Sequence, residues 1–184
     1  MLKILGICGS LRKQSLNRHA LHAAAKLMPA GMQLQIAEIG DLPLYSQDIE
    51  AAGLPASVTR LGAQIAEADG VLIASPEYNF SMTGALKNAL DWTSRLKPMP
   101  LKDKPVAILS ATGGPVGGAR NQYELRRVLG CLEALVLMRP EVFMGLADGK
   151  FDAQGQLTDE ATTKVLAAQM SAFETWIRRM GPQA

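Results

Sequence analysis

The chain has 184 residues, 48% hydrophobic and 20% charged, with a formal net charge of +2, enough for one domain (1–184) around one substantial core. Its cations are scattered, with no run longer than Arg126–Arg127 or Arg178–Arg179, which argues against a nucleic-acid stripe, and no apolar run approaches the ~18 residues of a membrane span. The sequence enters its first strand directly, without a leader, so a cytoplasmic protein with neither nucleic-acid nor membrane partners is expected.

Residues 2–8 (LKILGIC) form a nearly continuous apolar run, the mark of a strand buried on both faces. Gly9 ends it, and the next eight residues hold Ser10, Leu11, Arg12, Lys13, Gln14, Ser15, Leu16 and Asn17. From about Leu16 the spacing is helical, with Ala20, Leu21, Ala24 and Leu27 on one side. A strand feeding a donor-rich turn into a helix N-terminus makes an anion site, because free N–H groups and the positive end of the dipole face the turn. An ordinary connection capped by Ser15 or Asn17 is the alternative, but capping needs one such residue and this turn supplies several, plus Arg12. Neither GxxxxGK[ST] nor GxGxxG is present, and Glu38, at dinucleotide spacing, has no glycine fingerprint behind it. Hydroxyls in place of glycines favour a terminal phosphate such as that of FMN.

Residues 32–37 alternate as a second, more exposed strand, and residues 55–68 read as a helix with Val58, Leu61 and Ile65 inward. Residues 70–75 (GVLIAS) are a third strand, 83–95 a helix, and 105–109 (PVAIL) a fourth strand. A helix at 118–132, a fifth strand at 134–138 and a closing helix at 159–180 complete the pattern, with 145–158 as a surface loop. Strands alternating with helices predict an α/β fold, a parallel sheet covered on both faces, with ligands at the carboxyl ends of its strands. Cys8 and Cys131 are expected as reduced core thiols, and His19 and His22 as surface helix residues without the third ligand a metal would need.

Two further polar turns fall on that edge. After the third strand come Pro76, Glu77, Tyr78 and Asn79, an acid, an aromatic and an amide together, with Ser81 or Thr83 as a helix cap. After the fourth come Ser110, Ala111, Thr112, Gly113 and Gly114, the start of a glycine-rich stretch whose backbone amides and empty space suit the edge of a flat ring. The following helix carries Arg120, Tyr123, Arg126 and Arg127, equally readable as a ligand-facing, solvated or subunit-facing surface. Lys87 and Asp91 are a helix-face pair. Met82, Trp92 and Met99 are placed near the edge as apolar surface that self-association would hide.

The segments GSLRKQSLN, PEYNFSMTGALKNALDW and GGARNQY together resemble the NADPH-dependent FMN reductase family, the flavodoxin-like quinone, azo-dye and chromate reductases, over almost the whole chain. The resemblance implies a five-stranded parallel sheet of order 2-1-3-4-5, bound FMN, NADPH or NADH as co-substrate, and a homodimer or homotetramer. By position it implies Ser10, Arg12, Ser15 and Asn17 at the FMN phosphate, Pro76 to Asn79 along the ring and ribityl chain, and Ser110 to Gly114 at the pyrimidine edge. Small-molecule acceptors would then be reduced in a ping-pong cycle that needs neither a catalytic side chain nor a metal. A flavodoxin-type electron carrier is the rival, but carriers present acidic docking faces and this chain is slightly basic. A hydrolase would need a GxSxG elbow, which is absent.

Overall fold

The computed structural model describes residues 1–181. Its strands are β1 (Leu2–Cys8), β2 (Met32–Ala37), β3 (Gly70–Ala74), β4 (Pro105–Ala111), β5 (Leu135–Val136) and β6 (Val142–Met144). They form one parallel sheet in the order β2-β1-β3-β4-β5, with β6 also on β4. β5 pairs with Pro105 and Val106, and β6 with Leu109 to Ala111, so the single fifth strand expected at 134–138 is in fact two short ones along one edge. Pro140, between them, has no N–H to donate to a ladder, and pairing resumes at Val142.

Every residue of β3 and β4 is buried, as the apolar runs required. Side chains alternate between two layers. Leu5, Ile7, Val71, Ile73, Val106 and Ile108 pack against α3 (Ala56–Glu67), α4 (Gly84–Ser94) and α5 (Ala119–Cys131). Ile4, Cys8, Leu72, Ala74, Ala107 and Leu109 pack against α1 (Leu16–Leu27) and α6 (Glu160–Met180). Burying a side chain of this size contributes about 1.5–3 kcal/mol. Helices thus cover both faces. Because β1 lies between β2 and β3, the strand order reverses there and opens a crevice at the carboxyl ends.

Several local expectations are corrected. Trp92 and Met82 are buried and Met99 is half-buried, so they supply packing rather than an exposed apolar edge. Trp92 Nε1 donates to the Pro43 carbonyl at 2.7 Å, which fixes the ring inside. Cys8 is buried, but Cys131, the last residue of α5, is exposed. The short helix α2 (Gln47–Ala52) was not foreseen, since Ile49 is its one large apolar residue. The segment 145–158 is partly ordered, with a 3-10 turn at Ala147–Gly149 and a bridge between Phe151 and Leu157.

Candidate functional site

The first loop begins where β1 meets β3. Gly9 N–H donates to Ala74 O at 2.8 Å, and a Cβ on Gly9 would stand 3.0 Å from Ser75 Oγ, so a larger residue would push the strand ends apart. Thr83 caps α4 by accepting from Leu86 N–H (3.1 Å) and donates its hydroxyl to Gly9 O (2.5 Å), tying this loop to the next helix. Ser15 caps α1 by accepting from Arg18 N–H (3.4 Å), and Ser10 Oγ accepts from Arg12 N–H (3.3 Å). With a lone pair engaged in this way, the Ser10 hydroxyl keeps a proton to donate outward, while Ser15 Oγ also lies 3.7 Å from Cys8 Sγ. The amides of Leu16 and Asn17, first in α1, lie at the positive end of its dipole without intrahelical acceptors. Arg12 and Lys13 are exposed and pair with no acid among the described residues. Glu38, the one acid at dinucleotide spacing, is held by Arg18 at 3.1 Å.

Asn17 has a different place from the one implied for it. It is buried, its Nδ2 donates to Ala111 O (2.8 Å), and its Oδ1 accepts from Ala111 N–H (3.0 Å). The side chain therefore clasps the end of β4 to the first loop. Ala111 cannot offer its amide to a ligand, contrary to the expectation for that position.

The turn after β3 is a tight hairpin. Tyr78 N–H donates to Ser81 O (2.9 Å) and Ser81 N–H to Tyr78 O (3.0 Å), with Asn79 and Phe80 between them at φ 51° and 69°. Glu77 accepts from Arg120 Nε (2.6 Å) and from Asn121 N–H (3.2 Å), while the Arg120 guanidinium lies 3.9 Å from the Phe80 ring centroid. The sequence offers Phe80, like Tyr78, as a flat face for an aromatic ring; what it does not announce is that this face seats a guanidinium, or that Arg120 has a fixed partner. An Asn-aromatic pair carries no turn signal of its own, and an ion pair 43 positions apart leaves no trace in spacing.

The turn after β4 divides into two parts. Ser110 is fully buried, donating to Gly117 O and accepting from Gln122 Nε2 (2.8 Å), so its side chain is committed to packing. Thr112 N–H is taken by Met144 O (2.9 Å). Gly117 and Gly118 sit at φ 65° and 83°, and a Cβ on Gly118 would lie 2.7 Å from Ser110 Cβ. Gly113 and Gly114 are different. They are exposed, have ordinary φ, and their amides have no protein acceptor among the described residues.

A cavity of about 160 Å³ joins the three loops. Ser10, Arg12, Ser15, Leu16 and Asn17 line it from the first, Pro76, Glu77 and Tyr78 from the second, and Ala111, Thr112 and Gly113 from the third. Of the other predicted positions, Leu11, Lys13, Gln14, Asn79 and Gly114 are exposed beside it, and Ser110 lies beneath it. One end holds donors and a free guanidinium with no competing acid. The other offers the unpaired amide of Gly113, with that of Gly114 beside it. That set fits a phosphomonoester carrying a flat ring, as in FMN.

A parallel α/β sheet of this order, with three polar loops sharing a cavity at its carboxyl edge, defines the flavodoxin-like class. The sequence profile of the NADPH-dependent FMN reductase family matches residues 2–149, and the chain belongs to that family. It is 46% identical over 179 residues to an NAD(P)H-dependent FMN reductase of Pseudomonas aeruginosa, covering 97% of each chain. It is 43% identical over 182 residues to a quinone reductase of Escherichia coli, again covering 97% of each. Among solved structures, a flavoenzyme NAD(P)H:(acceptor) oxidoreductase of Paracoccus denitrificans superposes with a TM-score of 0.91 at 35% identity, covering 99% of this chain and 100% of that one. The protein is thus an oxidoreductase that uses FMN and NAD(P)H.

Proposed function

We propose that this enzyme passes reducing equivalents from NAD(P)H to quinones and similar flat acceptors, with FMN held at the carboxyl edge of the sheet. The observation that carries the assignment of the site is the cavity shared by all three loops, basic and donor-rich at its first-loop end. Arg12, the Ser10 and Ser15 hydroxyls and the first amides of α1 hold the phosphate. The Gly113 and Gly114 amides face the pyrimidine edge, where a preorganised donor to developing negative charge is commonly worth ~3 kcal/mol. Asn17 and Thr83 set the spacing between loops. Bound FMN supplies hydride acceptance and two-electron donation, so no side chain need act as nucleophile or base.

Acceptors are small molecules, and among the described residues no helix is long and apolar enough to cross a membrane. Cytoplasmic residence belongs to the proposal, supported by two cysteines that form no disulfide. Self-association as a homodimer or homotetramer does too. Val116, Tyr123, Met138 and Leu146, exposed around α5 and β6, support it. Light scattering above the 19.7 kDa of one chain is the expected result.

The test of function is direct. Purified protein should release FMN on denaturation, identified by mass, and should consume NADPH in the presence of a quinone. Release of an adenine-containing flavin would sink the phosphate assignment. A protein that holds FMN but turns over no acceptor would be a carrier.

A further inference from the structure

Beside the flavin cavity lies a second one of about 170 Å³, lined by Glu77, Thr112, Gly114, Pro115, Val116, Gly118 and Arg120. It shares Glu77 and Thr112 with the first, so the two are contiguous. Arg120 is gripped from two directions. Glu77 binds its edge at 2.6 Å, and the Phe80 ring supports its face at 3.9 Å. The pair is asymmetric: the Glu77 side chain is 8% exposed and that of Arg120 47%, so the carboxylate stands behind and the cation faces out. The Phe80 support is costly. A bulky residue at φ 69° is strained where glycine would not be, and its ring remains 67% exposed, so core burial does not compensate.

We propose that Arg120, braced by Glu77 and seated on Phe80, is the specificity-determining group of the acceptor subsite and favours flat acceptors that carry or develop an anionic oxygen. This deepens the reductase reading above and rests on it. When a quinone takes up a hydride equivalent, NAD(P)H becoming NAD(P)+, it gains two electrons and one proton. One oxygen is then left anionic until water protonates it. A fixed, half-exposed guanidinium at the mouth of the flavin cavity meets that charge with a planar fork of donors. Phe80 and Glu77 are positioning residues that hold the fork in place.

The experiment compares kcat/KM for 1,4-naphthoquinone-2-sulfonate and 1,4-naphthoquinone, and titrates the holoenzyme calorimetrically with naphthalene-2-sulfonate, which is not reduced. Arg120→Gln should lower the sulfonated-to-neutral ratio about five-fold and weaken the sulfonate titration by a similar factor, while Arg120→Lys keeps most of both. Phe80→Gly should lower the ratio while holding or raising the thermal midpoint, since it relieves the turn. A ratio and titration unchanged in Arg120→Gln would overturn the proposal. So would a change confined to NADPH against NADH, which would assign Arg120 to a nucleotide phosphate. The titration needs no turnover, so wild-type protein unable to oxidise NADPH would refute the reductase reading and leave this proposal to be decided by the titration.

Discussion

The turns after β1 and β4 look alike in sequence, both small and polar at a strand end, yet they use their groups in opposite ways. In the first, Ser10 and Ser15 accept from the backbone, Ser10 keeps its proton, and Arg12 and Lys13 meet no acid among the described residues. In the second, Ser110, Ala111 and Thr112 spend their groups on Gly117, Gln122, Asn17 and Met144, while the exposed Gly113 and Gly114 amides have no acceptor among the described residues. Similar composition therefore says little about which loop binds. What decides is whether each donor already has a protein acceptor.

The sharpest way to break that contrast is Gly118→Val. At φ 83°, with a Cβ 2.7 Å from Ser110, the branched residue is both strained and blocked. A destabilisation of about 3 kcal/mol or more is expected by thermal or urea unfolding, with flavin lost as a consequence. Near-native stability would mean the second turn is as free as the first.

Arg12→Ala comes next. Losing a forked, charge-assisted contact to phosphate should weaken FMN binding by roughly ten-fold or more at unchanged thermal midpoint of the apoprotein, and more than Lys13→Ala does. Equal losses would reduce the loop to diffuse positive charge.

Gly113→Val should have a milder effect. A positive φ plays no part at Gly113; the obstacle is the Asp148 carboxylate, 2.8 Å from an added Cβ and able to swing away. Folding and FMN content should largely survive, while turnover with bulky quinones falls several-fold more than with small ones. Loss of flavin with equal harm to all acceptors would make Gly113 part of the cofactor clamp.

The smallest effect lies outside both turns. Asp159 caps α6, accepting from Thr162 N–H (2.9 Å) and Lys150 Nζ (2.8 Å), and the Lys150 ammonium first, then the Thr162 bonds, hold its carboxyl far below the usual range. A carboxyl with a depressed folded pKa adds stability above its unfolded value, about 3.9, and loses it as pH falls further. Asp159→Asn should therefore lower the midpoint slightly at pH 7, by a margin that narrows steadily as the pH falls below about 4. A gap independent of pH would make the cap alone, without its charge, responsible.

Much of this was legible because burial on both faces writes itself as continuous apolar runs. β1, β3 and β4 appear directly, β4 running two residues further to Ala111. β5 and β6 did not, since two and three residues are too short for any period, and α2 offers one apolar side chain to count. At the site, the residue types at each strand end were readable, and every residue lining the shared cavity was among those singled out. Their allegiances were not. That Asn17 clasps Ala111, that Ser110 turns inward and that Arg120 reaches back to Glu77 are contacts 94, 12 and 43 positions apart, which only the fold brings together.

The central claim is that the first loop is a phosphate site on an FMN-binding edge, and the apoprotein can be asked directly. Titrating it with FMN and with riboflavin, which lacks the phosphate, and following flavin fluorescence should give FMN the tighter binding by about 100-fold, a gap that narrows in Arg12→Ala. Equal affinity for the two flavins would contradict the account.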